Sequence, residues 1–382
     1  MRAPLDLEQT EALLSDNVPV PCSAAMFNHP VRGPNRLITI PCHPDRVVED
    51  QMSPGAGARL RTLRVILALI AASVAVMVAQ AIHAPAEAQA QMCGTRVGKP
   101  VRIKHVIVIV MENHSYGQLI GPSTSSAARQ NPFLNGVLKR RCGLATNYSG
   151  ITHPSLPNYI AMLSGSTGGI HTNCNACWAN APTLLRQLER RRLGWRVFAE
   201  SMPDPCTRHD AGLYEKHHNP ATYYRALIPT CPRKNLPLGS LTSGHLARAL
   251  RRSTLPAFTM IVPNNCHNTH DCSMRTGDDW LRLRIRSIVS SPSYVRGRTA
   301  VLLTWDEGAG GRDRLDCLAH RGNTSCHIPL FVISPYTRVG ARTSVPLSHY
   351  SVLKAVERRF HLRRLGHAGS RSTRAVRWCV RC

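Results

Sequence analysis

Short apolar runs alternate along this chain with longer stretches in which apolar residues recur at helical spacing. The apolar runs predict strands that are covered on both faces. Their alternation with helices predicts an α/β fold with a mostly parallel central sheet flanked by helices on both faces. We expect strands near 104–111, 195–199, 256–262, 299–305 and 328–334, and helices near 127–141, 156–164, 182–193, 241–252, 278–290 and 349–360.

Two of the apolar runs end abruptly in adjacent oxygen ligands. The run 105–110 leads into Glu112-Asn113, and the run 300–304 leads into Asp306-Glu307. Open α/β sheets place their active sites at the carboxyl ends of parallel strands, so these side chains are expected to meet. Three carboxylates and an amide in one place need a cation to offset their charge. The alternative is that each pair is an ordinary strand end that turns into solvent.

A third segment, Gly150–Gly165, contains Ser155 two residues before Pro157. Proline fits the first turn of a helix, so the segment predicts a helix that begins at Ser155. The positive end of a helix favours an anion, and a hydroxyl there, close to a metal, can act as a nucleophile toward a phosphate ester. The alternative interpretation is a serine that only caps the helix.

Four motifs, taken in order, resemble one known family. They are Met111–Tyr116, Thr152–Tyr159, Pro263–Cys272 and Thr304–Gly308. The chain is similar over residues 103–360 to the phosphoesterase family of bacterial acid phosphatases and phospholipases C, a branch of the alkaline phosphatase superfamily. The resemblance implies an alkaline-phosphatase-like fold and an enzyme that hydrolyses phosphoric ester bonds.

The resemblance also implies roles for individual residues. Ser155 would be the nucleophile, and Asn158 would help to hold the phosphoryl oxygens. A divalent metal ion of unknown identity, alone or with a second ion, would be bound by the remaining motif residues together with the nucleophile. The implied metal ligands are Glu112, Asn113, Ser155, Asp306 and Glu307.

Three histidines are weaker candidates, since a lone histidine is more often structural. His270 or His218 is expected to protonate the leaving alcohol, and His327 is expected to contact the substrate. The family usually shows an Asn-Asp pair just before the His-Asp pair that matches His270 and Asp271. This chain has His267-Asn268 there instead, which weakens a role for the earlier polar residues of that loop.

The first 90 residues read as targeting sequence. Arginines at 59, 61 and 64 precede the uncharged run Val65–Ala79, and Ala88-Gln89-Ala90 offers a cleavage site. Residues 1–51 are predicted to be an over-extended or disordered amino terminus, and residues 52–90 a signal peptide or a membrane anchor near 65–81. Residues 91–382 then form one phosphoesterase domain with a basic carboxyl-terminal tail, which would be secreted or extracytoplasmic in either case.

Fourteen cysteines support export, because exported chains with many cysteines form disulfides. The close spacings predict local bridges at Cys266–Cys272 and Cys317–Cys326, and a further candidate is Cys206–Cys231. Zinc or redox chemistry is the alternative for Cys174 and Cys177.

A formal net charge of +26 is compatible with contact to an anionic membrane or cell-wall polymer. The arginines are spread along the whole chain, and no specific nucleic-acid motif is present. The sequence therefore predicts an exported, metal-dependent phosphoesterase that works through a phosphoserine, of acid phosphatase or phospholipase C type. Its substrate would be a phosphate ester of a small molecule or a phospholipid. The alternative is a non-catalytic, cationic cell-envelope binding protein on a degenerate phosphatase fold.

Overall fold

A computed structural model describes residues 92–98 and 103–377, and the described residues are built around one twisted sheet. The strand order is β4–β3–β5–β1–β6–β7–β2–β8, and β9 pairs with β2. The strands are β1 His105–Met111, β2 Gly143–Ser149, β3 Trp195–Ala199, β4 Asn235–Pro237, β5 Phe258–Val262, β6 Thr299–Trp305, β7 His327–Ile333, β8 Arg342–Thr343 and β9 Leu347–Ser348.

The predicted, mostly parallel sheet is confirmed, with one exception. Strand β1 lies between β5 and β6 and runs parallel to both, and β3 and β4 extend the same parallel arrangement. Strand β7 instead runs antiparallel to its neighbours β6 and β2. No helix is present in the connection 306–326 between β6 and β7. Parallel neighbours need a long crossover, usually through a helix, so this connection suits an antiparallel pair.

The central strands are buried on both faces, as their apolar sequences predict. All seven residues of β6 are buried, and so are residues 106–111 of β1. Strand β2 was missed because Thr146 and Asn147 interrupt its apolar character, and both of these residues are half-buried. An antiparallel strand near the edge of a sheet carries fewer apolar residues than a central parallel one, so its pattern is weaker.

Helices cover the sheet at the predicted places. The predicted helix 127–141 is broken after Gln130, because Asn131 precedes Pro132 and the residue before a proline disfavours helical geometry. The helices are Tyr116–Leu119, Ser126–Gln130, the π-helical turn Leu134–Leu138 with Lys139–Arg141, Ser155–Ser164, Leu184–Arg190, Cys231–Lys234, Gly244–Arg252, Met274–Val289, Pro292–Val295 and His349–Arg359. Short 3₁₀ turns are Lys216–His218, Pro220–Tyr223, Arg225–Leu227 and Gly366–Gly369.

Disulfide bonds connect loops between these helices and strands. The three suggested bridges are all present, and Cys174 and Cys177 are bonded to each other, so neither is a free zinc-binding thiolate. The bridge Cys93–Cys142, whose cysteines lie 49 residues apart, was not predicted from the sequence. The described residues do not include the predicted signal peptide or the candidate anchor, which lie before residue 92. They also do not include Cys379, Cys382 and the end of the basic tail. Within the described part, every helix is too short or too polar to cross a membrane.

Candidate active site

The register of two neighbouring strands brings the first carboxylates together. In the parallel pair β1–β6, Met111 lies opposite Trp305. The next residues along the two strands are Glu112 and Asp306, so their side chains leave the sheet side by side at its carboxyl edge. The backbone N–H of Asp306 donates to the carbonyl of Met111 at 3.0 Å, which extends the ladder by one step and fixes this placement.

Glu112 lies at the centre of the cluster and is fully buried. Its Oε2 accepts a hydrogen bond from the Ser155 hydroxyl at 3.1 Å. Its Oε1 accepts a short hydrogen bond from the Tyr159 hydroxyl, and Nε2 of His218 lies 3.4 Å from the same oxygen. The nucleophile candidate, one metal-ligand candidate and one acid candidate are thus in direct contact.

Ser155 is the first residue of its helix, as predicted, and is 2 % exposed. The loop before it is held by Asn158, whose Oδ1 accepts from the backbone N–H groups of Ile151 and Thr152. The Nδ2 of Asn158 donates to the Thr152 carbonyl at 2.7 Å and to Glu307 at 3.0 Å. Both ends of this amide are therefore used within the protein, and the contact of Asn158 with phosphoryl oxygens stays a prediction.

Asp306 joins the cluster through one oxygen. Its Oδ1 accepts from the backbone N–H of Asn113 at 3.4 Å, whereas its Oδ2 is buried without a hydrogen-bond partner. Asn113 adopts φ +39°, in the left-handed region that asparagine tolerates better than most residues. His349 holds the backbone here, because its Nε2 donates to the Asp306 carbonyl at 2.5 Å.

Glu307 lies beside the cluster but faces other partners. One carboxylate oxygen of Glu307 accepts a hydrogen bond from the Asn158 side-chain amide, and the other lies 3.2 Å from Nδ1 of His153. As a result, the ligand oxygens of Glu112, Asp306 and Glu307 do not all lie within 4.8 Å of one another. Ser155 contacts Glu112, and Asp306 follows the neighbouring strand beside Glu112. The oxygens of Glu307 contact Asn158 and His153.

Burial and mutual repulsion make the carboxylates hard to ionise. Burial, and then the charge of Asp306, raise the pKa of Glu112 well above its ordinary value. Burial and the charges of Asp306 and Asp313 raise the pKa of Glu307 in the same direction. Burial raises the pKa of Asp306 to about 6. Among the described residues, no lysine or arginine forms an ion pair with these three acids.

The donor set fits a hard divalent cation, which prefers carboxylate, amide and hydroxyl oxygens. Two buried oxygens of the set, Asn113 Oδ1 and Asp306 Oδ2, have no hydrogen-bond partner. Such atoms are costly to bury unless something binds them, and a cation would do so while offsetting the crowded negative charge. Two other groups of described residues have a spacing that suits a metal ion. In the group of His153, Cys317 and Cys326, the two cysteines are bonded to each other. The group of Asp210, Glu215 and His217 is partly exposed.

A cavity of about 390 Å³ lies beside this cluster and is lined by Asn113, Pro154 and Glu307. Glu112, Ser155 and Asp306 do not belong to its lining. His270 lines it and is the histidine candidate that faces it directly, with Nδ1 2.6 Å from Oδ1 of Asp271. Burial lowers the pKa of His218 well below its ordinary value, and this ring lies deeper, against Glu112. The full lining is Asn113, His114, His153, Pro154, Thr269, His270, Glu307, Gly308, Ala309, Gly310, Gly311 and Asp313.

His327 does not line this cavity. It borders a second cavity of about 280 Å³, where its ring stacks on Tyr116 with 4.5 Å between the ring centroids. Its Nε2 is within 2.8 Å of the Thr146 carbonyl. The structure therefore separates His327 from the cluster, and Ala309, which lines both cavities, is the boundary between them.

Three side chains without a role predicted from the sequence hold the cluster in place. The Tyr159 hydroxyl donates a hydrogen bond to Glu112, and His349 donates one to the backbone carbonyl of Asp306. His153 contacts Glu307. Tyr159 had a usable signal, because a residue four positions after Ser155 lies on the same face of the helix. His349 had none, since it comes more than forty residues after Asp306 and reaches it only through the fold.

The Phosphoesterase family model matches residues 127–363, which is well over half of the chain. The chain belongs to the phosphoesterase family. It is a hydrolase that acts on phosphoric ester bonds, as the family's members are, and the resemblance inferred from the four motifs is confirmed. The alternative of a non-catalytic binding protein is not supported.

Named relatives of this phosphoesterase are phosphatases. The chain is 27 % identical to a phosphatidylinositol-3-phosphatase of Mycobacterium tuberculosis, in an alignment that covers 69 % of this chain and 79 % of that protein. It is 28 % identical to an acid phosphatase of Aspergillus fumigatus, over 58 % of this chain but only 49 % of that protein. A solved structure from Vibrio parahaemolyticus, described as a protein in the alkaline phosphatase superfamily, aligns over 74 % of this chain and 71 % of its own with a TM-score of 0.48 and 10 % identity.

Proposed function

We propose that this phosphoesterase is a metal-dependent phosphomonoesterase with Ser155 as its nucleophile. The observation that carries the proposal is the buried cluster in which the Ser155 hydroxyl contacts Glu112 and Asp306 lies beside it. Buried carboxylates without a cationic partner are not expected beside a serine that has only a structural role. A nucleophilic serine beside a metal site does need them.

Glu112, Asn113, Ser155 and Asp306 would hold the divalent ion, and Glu307 would join them by giving up one of its present partners. When bound, the ion would favour the ionised Ser155 hydroxyl and offset charge on the phosphoryl oxygens. These four residues account for one ion. The described residues do not point to the site of a second.

Ser155 would attack phosphorus in line and form a phosphoserine, and water would then release phosphate. The helix that begins at Ser155 has the positive end of its dipole at this residue, which favours the developing negative charge. Between the two predicted acids, His270 is the better placed to protonate the leaving alcohol, because it lines the cavity and has Asp271 to orient its ring. His218, buried against Glu112, would instead position that carboxylate.

The cavity favours a small leaving group over a diacylglycerol. Its walls are histidines, glycines and polar groups, with Pro154 and Ala309 as the main apolar contributions. Acyl chains would find little apolar surface there, so their burial would contribute little to binding. The names of the relatives, which are phosphatases rather than phospholipases, support hydrolysis of a monoester.

A panel of three substrates tests this proposal. We expect rapid hydrolysis of a small phosphomonoester, slower hydrolysis of a diester and little hydrolysis of phosphatidylcholine. Chelator should abolish the activity, and added divalent metal should restore it. Undiminished activity after exhaustive chelation would contradict the metal site, and a preference for phosphatidylcholine would contradict the monoester assignment.

We also propose that the protein is exported, which the disulfides of the described residues support, since such bonds persist in oxidising compartments. The mature chain is expected to begin near Gln91, and a reading frame that starts at Met52 should be secreted as efficiently as the full one. Amino-terminal sequencing of the secreted protein decides this point. A mature protein that keeps residues 65–79 would indicate an anchor. Contact with an anionic membrane or cell wall remains a proposal that rests on the net charge of +26.

A further inference from the structure

The cavity beside the cluster has no lysine or arginine in its lining, although the chain contains 48 of these residues. The acidic side chains of the lining are Glu307 and Asp313, and its histidines are His114, His153 and His270. Phosphatase pockets that accept a second phosphate would need cations to bind it.

Asp313 differs from Glu307 in its surroundings. It is exposed at the rim of the cavity, and in the described part of the chain no ion pair involves its carboxylate. It lines the same cavity as Glu307 and His153. The neighbouring Arg312 and Arg314 do not line the cavity.

The loop that carries Asp313 is fixed to the segment just before the nucleophile. The backbone N–H of Arg314 donates to the His153 carbonyl at 2.9 Å, two residues before Ser155. Gly311 packs so closely on the His153 ring that a Cβ at this position would lie 2.0 Å from Nε2. Four residues after Asp313, the bridge Cys317–Cys326 closes the loop. The backbone that carries Asp313 is therefore held at the rim of the cavity by contacts on both sides.

We propose that Asp313 is a specificity-determining residue that selects the leaving group by its charge. It favours alcohols that carry an ammonium group, accepts neutral alcohols and disfavours alcohols that carry a second phosphate or a carboxylate. The inference rests on the proposed function, because it takes the cavity to be the place of the leaving group. At a separation of roughly 7 Å in a partly exposed site, one charge should change affinity by about fivefold to tenfold, and salt should reduce the effect.

Binding of three phosphonates that differ only in the group at the end of the chain tests this inference without turnover. They are 2-aminoethylphosphonate, propylphosphonate and 3-phosphonopropionate, which end in a cation, a methyl group and an anion. Isothermal titration of the full-length protein, with Mg²⁺ held constant, should give affinities in that descending order. Asp313→Asn should reduce the spread between the first and the last by about tenfold or more.

Asp316→Asn is the matched control, since it makes the same charge change three residues further along the loop. Asp316 lies outside the cavity lining, and its Oδ1 accepts from the backbone N–H groups of Leu318 and Ala319, a role that asparagine retains. This variant should keep the wild-type order and spread. Equal affinities for the three phosphonates in the wild type, or a spread that survives Asp313→Asn, would overturn the inference. Monoester hydrolysis in the substrate panel would leave the proposed function intact in both cases.

Discussion

Ser155→Ala should reduce monoester hydrolysis by about four orders of magnitude or more, because it removes the atom that attacks phosphorus. The fold should hardly change, since the Ser155 hydroxyl donates one hydrogen bond, to Glu112. Loss of one such bond costs about 1 kcal/mol of unfolding free energy. Metal binding should weaken only modestly, because the carboxylates remain. Steady-state kinetics, thermal unfolding and metal titration measure the three quantities on the same protein.

Ser164→Ala is the control for this variant. Ser164 ends the same helix, is also buried, and its hydroxyl lies 2.7 Å from the hydroxyl of Tyr224. Its loss should cost a similar amount of stability and leave activity near the wild-type level. If the two alanine variants have equal activity, Ser155 is a structural serine and the covalent mechanism has no nucleophile.

Asp306→Asn should have the next largest effect, and it should differ in kind. The change removes one ligand charge, so we expect metal affinity to fall by about 10² and activity to return in part at high metal concentration. A nucleophile cannot be replaced by mass action, whereas a weakened ligand set can be saturated. Activity measured over a range of metal concentrations therefore separates the two roles.

The same variant should make the metal-free protein more stable above about pH 6. Burial raises the pKa of Asp306 from 3.8 to about 6. A folded-state pKa above the unfolded value means that the folded protein binds more protons between these pH values. Stability therefore falls as pH rises through that window, by at most about 3 kcal/mol. Asparagine removes this loss, which unfolding of chelated protein at pH 4, 6 and 8 would show.

Asp278→Asn is the control for the effect of charge burial. Asp278 is also buried, and its pKa is also raised to about 6 by burial, but it accepts hydrogen bonds from the backbone N–H groups of Phe133 and Leu134. Its replacement should change the pH dependence of stability without changing the metal requirement. A metal requirement that is the same in Asp306→Asn as in the wild type would remove Asp306 from the ligand set.

The parts of the fold that sequence could predict are those whose pattern is local. Strands β1 and β6 are continuous apolar runs that end in acids, and the helix at Ser155 begins with proline in its first turn, so each carries its own signal. The antiparallel direction of β7 could not be predicted in this way. It depends on how the connection 306–326 returns to the sheet, and no local pattern encodes that return.

The site shows the same division. The convergence of Glu112 and Asp306 follows from the parallel register of two strands, which the sequence suggested. The partners of Glu307 and Asn158 could not be foreseen, because they arise where the loop 150–154 and the end of β6 pack together. His327 was expected at the substrate, yet its ring stacks on Tyr116, since a strand alternates its side chains between two faces.

The stereochemical course at phosphorus tests the central claim most directly. A monoester made chiral at phosphorus with oxygen isotopes is cleaved in the presence of an acceptor alcohol, and the configuration of the new ester is determined. Attack by Ser155 followed by attack of the alcohol on the phosphoserine inverts the centre twice, so the account predicts retention. Inversion would show a single displacement by the acceptor and would contradict Ser155 as the nucleophile.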